Sequence, residues 1–329
     1  MKKRRVETLS RPFRFELPPK RPYRLGSEMS PTRYLIVTAD DFGIGPPTSK
    51  GILGLAQLGR LTTSVLLVNS PYAEESVEAW KCEGEPIDLG WHACLTLDRP
   101  VSPPRKVPSL VDADGRFRPL APFLKRVALG LVRRDDVRRE FQAQCERFIE
   151  LTGRPPAIVN SHHHIHAIRM IGRELAGVSA RFENRPFVRR VREPWRKIAS
   201  IPGARGKRIL LNLIGSGEAR RLDRRGYPGA DWLAGVSDCR TSYDPEMIVD
   251  WLSNIPGRNV EWACHPGEFD PTLAGRDGDL DDGSLEWRVN ELAMLADDRF
   301  VAACRRAGFV VASPSILADM LGTRGRYVA

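Results

Sequence analysis

The 329-residue sequence is punctuated by short apolar runs that are nearly continuous in Ile, Val and Leu, and these runs constrain its fold more than any other feature. They fall at residues 34–39, 63–68, 87–91, 157–160, 187–191, 209–214, 260–264 and 309–312. A strand with one wet face alternates polar and apolar residues, whereas a strand covered on both faces does not. Strands of the second kind build parallel sheets, whose crossovers are usually helices. Helical patterns do lie between the runs. Residues 48–58 end at Gly59, residues 135–151 open on acids and end at Gly153, and residues 285–306 form a long amphipathic stretch ending near Gly308. Repeated alternation along the chain predicts an α/β fold with a parallel sheet, most simply a distorted (βα) barrel of the TIM type. Residues 98–122 and 215–243, rich in turn formers, read as long loops.

The charge is distributed unevenly. Lys and Arg number 51 against 41 Asp and Glu, a net +10. Residues 1–28 carry +6 and residues 181–225 carry +10, so the remainder sums to −6. A basic stripe can meet nucleic acid or an anionic membrane. Neither stretch has the interleaved aromatics of a base-stacking platform, so the preferred reading is a solvated tail plus a loop-rich surface, with no nucleic-acid partner. Residues 1–30 are charged, Pro-containing and unperiodic, and are read as a flexible basic extension ahead of one domain over 31–329. No secretory h-region is present, and no run reaches the roughly 18 apolar residues of a membrane span. A cytoplasmic location with reduced thiols is therefore expected. The six cysteines, Cys82, Cys94, Cys145, Cys239, Cys264 and Cys304, form no CxxC, which removes zinc-ribbon and thioredoxin-like readings. Cys94 and Cys264 lie beside histidines but read as ordinary buried thiols.

Histidine points to chemistry. All six fall at three places, His92, the run His162 to His166, and His265. Asp40 and Asp41 follow the first strand, His92 closes the third, Asn160-Ser161-His162-His163-His164-Ile165-His166 closes the fourth, and His265 follows the seventh apolar run. Adjacent carboxylates repel unless a cation or proton divides their roles, and a metal would let one bind while the other acts as a base. In extended chain, residues 160, 162, 164 and 166 share one face. Several packed imidazoles without a charge partner or metal are costly, and His is the commonest metal ligand near neutral pH. Taken singly, the Asp pair also reads as a loop cap, and His92 and His265 as structural histidines. Taken together, all four clusters fall on one rim of a parallel barrel, where active sites form. A set of two His and one carboxylate suits Zn²⁺, Fe²⁺, Co²⁺ or Mn²⁺ with open positions for water and substrate, which is the make-up of a hydrolytic metal site.

At these residues the chain resembles the YdjC-like carbohydrate deacetylases, the ChbG/HpnK family. The similarity runs from about Arg33 to Leu321 through TADDFG, KGILGLAQLGRLTTSVLLVNSP, LGWHACLT, RFIELTGRPPAIVNSHHHIH, WACHPGEFD and RVNELAML. The resemblance implies a barrel-like fold related to polysaccharide deacetylases, one divalent metal ion (Mg²⁺ or Zn²⁺), an N-acetylated sugar as substrate, and a homodimer. It assigns Asp41, His92 and His162 to metal, Asp40 as general base and His265 as general acid. His164, His166, Arg192 and Asp231 would contact substrate. Asn160 stands where the family often has Asp, Ser49 where it commonly has Asn, and Trp91 is bulkier than the usual residue before the ligand His. His163 receives no role, because alternation turns it to the other side of its strand.

The reading is hydrolysis of an N-acetyl group from a chitooligosaccharide-like or lipid-linked amino sugar, releasing acetate. Alternatives are another metal hydrolase on the same barrel, such as a phosphoesterase or cyclic amidase, a non-catalytic anionic-polymer binder using the two basic stretches, and a silent member that only binds sugar.

Overall fold

The computed structural model describes residues 32–237, 246–278 and 283–320. Strands and helices alternate along it: β1 (Arg33–Phe42), α1 (Pro46–Gln57), β2 (Thr63–Leu66), α2 (Ala73–Cys82), β3 (Asp88–Ala93), α3 (Leu120–Ala128), α4 (Arg134–Thr152), β4 (Ile158–Ser161), α5 (Arg169–Ser179), β5 (Phe187–Val188), α6 (Trp195–Ser200), α7 (Arg205–Arg224), β6 (Trp232–Ala234), α8 (Glu246–Leu252), β7 (Asn259–Cys264), α9 (Ser284–Ala296), α10 (Arg299–Arg306), β8 (Phe309–Val311) and α11 (Pro314–Met320). The strand order is β5-β4-β3-β2-β1-β7-β6, with β8 also paired to β1, and every pair is parallel. The free ends of this path are joined by backbone bonds rather than by a strand pair. Val188 N donates to Pro228 O and Leu233 N to Arg192 O, both at 2.9 Å. The sheet is thus the curled, barrel-like parallel sheet that the apolar runs predict.

Alternate residues of each strand serve two cores. Leu35, Val37 and Ala39 of β1 face the helices in a large cluster with Trp80, Trp91, Phe141 and Phe148. Ile36, Val65, Ile158 and Phe187 form a separate inner cluster, covered by Ala312 and Leu317. Cys94 and Cys264 are buried thiols, directed at the carbonyls of Leu97 and Thr38. Cys239 and the 1–30 extension lie outside the described residues. No described helix is long and apolar enough to cross a membrane.

Four expectations fail here. Residues 209–214 are not a strand but the middle of α7. The inward positions of α7 are Arg208, Asn212, Gly215, Glu218, Ala219 and Leu222. Their spacing is helical, but it is carried by polar and small residues, so the apolar run marks the outward side. The missing strand is β6, three residues long, inside the stretch read as a loop. Residues 181–225 are also not a solvated, loop-rich surface, because they hold α7 and because Arg189, Arg190 and Arg208 are buried. Residues 285–306 divide into α9 and α10 at Asp297, whose backbone is extended.

Gly215 explains how α7 sits so close. A Cβ at this position would lie 2.1 Å from the carbonyl oxygen of Val191, which backbone cannot yield. Gly215→Leu should therefore reduce unfolding free energy by about 1–3 kcal/mol through overpacking. A lower urea midpoint at unchanged slope is the expected reading.

Candidate metal centre

Strand alternation builds the site from below. The inner cluster of Ile36, Val65, Ile158 and Phe187 lies low in the curl. Farther along the same strand faces stand Asp40 after Ile36, Asn160 after Ile158 and Arg189 after Phe187. On β3 the same face carries Gly90 and His92. A Cβ at Gly90 would meet the Ile158 carbonyl oxygen at 2.4 Å, so glycine lets β3 lie close to β4. Register then sets His92 opposite Asn160, and Ala39 opposite Cys264.

Alternation alone would turn Asp41 away from Asp40. The pairing of β1 with β2 slips between Ala39 and Phe42, and Asp41 has φ 67°. Such a bulge with one left-handed residue re-aims a side chain, and it brings both carboxylates inside. Ser49 steadies the following turn, since its hydroxyl accepts from Gly43 N at 3.0 Å and pairs with Ser76 at 2.9 Å.

The histidine run is not extended. It forms a 3-10 turn in which His163 and His164 have left-handed backbones, φ 56° and 54°. This overturns the shared face of 162, 164 and 166. It also corrects the placing of His163, whose ring lies 3.9 Å from that of His162. His163 Nδ1 is 3.0 Å from the Thr96 hydroxyl and Nε2 is 3.6 Å from Asp277. Burial, then His162 beside it, lowers its pKa to about 3. His164 and His166 are buried, and burial first, then Arg189, lowers both pKa values. His166 Nδ1 meets Ser161 at 2.7 Å, while His166 Nε2 and His164 Nδ1 have no partner among the described residues.

Asp41, His92 and His162 converge. Asp41 Oδ1 lies 3.1 Å from His92 Nε2 and 3.0 Å from His162 Nδ1. His92 Nδ1 meets the Asn160 side-chain oxygen at 2.5 Å, and the Asn160 amide donates to Asp40 at 3.0 Å. An amide oxygen only accepts, so Nδ1 carries a proton and Nε2, turned toward Asp41, is the nitrogen placed to ligate a metal. Arg288 takes the other oxygen of Asp41 and also Asp277, both at 2.7 Å. Asp277 in turn lies 2.9 Å from His162 Nε2. Burial would raise the Asp41 carboxyl, but Arg288 and His162 hold it well below the usual carboxylate range. Burial would lower His162, but Asp277 and Asp41 raise it well above its ordinary value.

Asp40 is locked differently. Buried Arg189 grips it with two bonds, 2.5 and 2.8 Å, and reaches Glu261 with two more, 2.9 and 2.7 Å. Burial opposes its charge, but Arg189 outweighs burial and keeps Asp40 ionised. His265 stands at the mouth with 40% of its side chain exposed, Nε2 at 3.8 Å from Asp40. Its backbone N donates to Glu291. Desolvation lowers the His265 pKa despite the nearby Asp41 and Asp40.

Arg192 and Asp231 stand apart from this group. Arg192 donates to the Asp231 carbonyl oxygen at 2.8 Å, pairs with Asp223 at 2.6 Å and stacks on Trp232. The Asp231 carboxylate accepts from the backbone of Arg258 and Asn259. Sequence reasoning missed Asp277, Arg288, Arg189 and Glu261. Arg288 lies in the RVNELAML segment and Asp277 in an Asp/Gly-rich stretch, so both carried a signal.

The donors suit a metal. Bonds of about 2.0–2.2 Å to N and O place neighbouring ligand atoms about 3–3.5 Å apart, as seen here between Asp41 and the two rings. Charge agrees. Asp40, Asp41, Glu261 and Asp277 bring four negative charges against two from Arg189 and Arg288, an excess of two that a proton on His162 reduces to one and that a cation held in place of that proton would offset.

Known proteins are similar in sequence and shape. A family model described as YdjC-like protein matches residues 34–306. A carbohydrate deacetylase of Mus musculus is 31% identical over 79% of the chain and 87% of its own length. A chitooligosaccharide deacetylase of Yersinia pestis is 32% identical over 85% of the chain and 98% of its own. A solved chain from Enterococcus faecalis V583, provisionally described as a cellobiose-phosphate cleavage protein, superposes with TM-score 0.69 at 25% identity, over 87% of this chain and 99% of that one.

The Arg189 pair supplies a direct test. Arg189→Met strands two buried carboxylates, and breaking such a pair costs about 3–5 kcal/mol. Denaturant unfolding near neutral pH should show that loss.

Proposed function

The chain belongs to the YdjC-like protein family, and from that premise we propose that this carbohydrate deacetylase uses one divalent ion to remove the acetyl group of an N-acetylated amino sugar. The observation that carries the reading is the meeting of Asp41, His92 and His162 beside Asp40 and His265. Asp41, His92 and His162 would hold the ion, whose chemistry is Lewis acidity toward an acyl oxygen and acidification of water. Two imidazoles favour Zn²⁺ over oxygen-preferring Mg²⁺.

The chain's own residues carry the protons. Asp40, kept ionised by Arg189, accepts the proton of the attacking water through the oxygen that faces His265. Asp40 passes that proton to Nε2 of the neutral His265, 3.8 Å away, and His265 delivers it to the leaving nitrogen as the amide C–N bond breaks. His164 and His166, neutral and each with one unpaired ring nitrogen, are candidates to bind substrate polar groups. Arg192 and Asp231 remain candidates for contacts farther from the reacting bond.

Positioned proton transfer contributes roughly 10²–10⁴-fold. Asp40→Asn should lower acetate release by about that factor and keep bound metal. Full activity in this variant, or metal loss in Asp40→Asn but not in Asp41→Asn, would remove the assignment. Chelation should abolish acetate release and metal add-back restore it. His92→Ala and His162→Ala should each lose metal, measured directly by elemental analysis. The Enterococcus description, cellobiose-phosphate cleavage, supports one rival, cleavage of a phosphorylated disaccharide. Breakdown of cellobiose phosphate with no acetate release, across a panel of N-acetylated and phosphorylated sugars, would favour it.

A further inference from the structure

Helix α7 is inverted relative to an ordinary surface helix. Its buried side sets Arg208, Asn212 and Glu218 among Gly215, Ala219 and Leu222, while Ile209, Leu210, Leu213 and Ile214 are 38%, 56%, 65% and 43% exposed. Trp195, which begins the neighbouring α6, is 55% exposed. Leu210, Leu213, Ile214 and Gly217 follow i, i+3, i+4, i+7 spacing and form one outward stripe. Nothing lies within 4 Å of a Cβ placed at Gly217. Basic residues bound the stripe at both ends. Arg205 and Lys207 precede it, and Arg220, Arg221 and Arg224 follow. Arg221, two turns beyond Ile214 on the same side, also lines a groove of about 590 Å³ with Arg134, Arg138, Arg173, Arg181 and Arg225. Glu174 occupies Arg134 and Arg138, Glu218 occupies Arg221, and Glu146 lies 3.4 Å from Arg181. Arg173 and Arg225 have no ion-pair partner among the described residues.

We propose that this side of α7, with the basic residues at its two ends, docks on the surface of an anionic lipid bilayer. Exposed Leu and Ile on a helix flanked by Lys and Arg suit the boundary between headgroups and acyl chains. The arginines complement the negative surface charge. A second copy of the chain fits less well. A two-fold contact places a patch against itself, which would bring the basic flanks onto one another. Helix α7 packs on the turn carrying His162 to His166, so a docked chain holds its metal centre near the bilayer surface. Docking does not depend on the chemistry proposed above.

Vesicle flotation of the full chain tests this. Binding to phosphatidylcholine vesicles containing phosphatidylglycerol should exceed binding to phosphatidylcholine alone at least about tenfold. The double variant Leu210→Glu/Leu213→Glu should lose at least about tenfold of that binding, while keeping its circular dichroism spectrum and its acetate release from a soluble substrate. Arg220→Glu/Arg224→Glu should weaken binding and flatten its salt dependence. Failure of the wild-type chain to float would overturn docking, as would undiminished flotation of the double variant. So would a wild-type dimer, seen by sedimentation, that the double variant splits without any vesicle binding. Absent acetate release with intact flotation would count against the proposed chemistry alone.

Discussion

One guanidinium holds the inner architecture together. Arg189, just beyond β5, crosses the interior of the curl to Asp40 at the end of β1 and to Glu261 in β7. β5 neighbours neither β1 nor β7 in the sheet, so the bridge ties Arg189 to a part of the wall that backbone pairing leaves apart from it. It also decides protonation. A buried carboxyl left alone drifts toward its neutral form, and the Arg189 pair keeps Asp40 charged where water is scarce. The desolvation cost is large, and four hydrogen bonds with planar, fork-like geometry offset it. Arg288 repeats the device one residue along, joining Asp41 to Asp277. Two adjacent aspartates thus stay ionised because each has its own arginine.

Much of this was legible in the chain. Near-continuous apolar strands revealed the parallel sheet because burial on both faces leaves no alternation to conceal. The clusters at strand ends were legible for the same reason, since parallel strands send all their C-terminal ends to one rim. The bulge at Asp41 was not, because a local slip of register has no compositional mark when the residue is Asp rather than Gly. The turn at His163 and His164 was hidden likewise, by two consecutive left-handed residues that carry full side chains. Arg189 sat unnoticed among the basic residues of 181–225, where local charge counting cannot tell a buried ion pair from a solvated one.

Helix α7 shows a different limit. Ile209 to Ile214 matches a buried strand in every local respect, and its neighbours Arg208 and Asn212 match a surface. The fold reverses both. Arg208 is buried against Glu193, with bonds of 2.8 and 2.5 Å, and Trp251 donates to the same carboxylate at 2.8 Å. A satisfied polar cluster can anchor a helix as firmly as an apolar one, and that frees the leucines to face outward. Hydropathy reports what a residue would prefer, whereas the surrounding hydrogen bonds decide what the helix can afford to bury.

The position of β1 has a consequence for how the chain acquires this structure. The first strand among the described residues is a central strand of the sheet, with β2 on one edge and β7 on the other, and β8 is also paired to it. Tyr34 aligns with Asn259 and Arg33 with Phe309. During synthesis, one edge of β1 therefore emerges long before its partner exists. Such long-range pairing slows folding, and an apolar strand with an open edge invites wrong partners while it waits. The N-terminal half of the sheet can form early, but the wall that presents Glu261 and His265 to Asp40 is completed only when the last third of the polypeptide arrives.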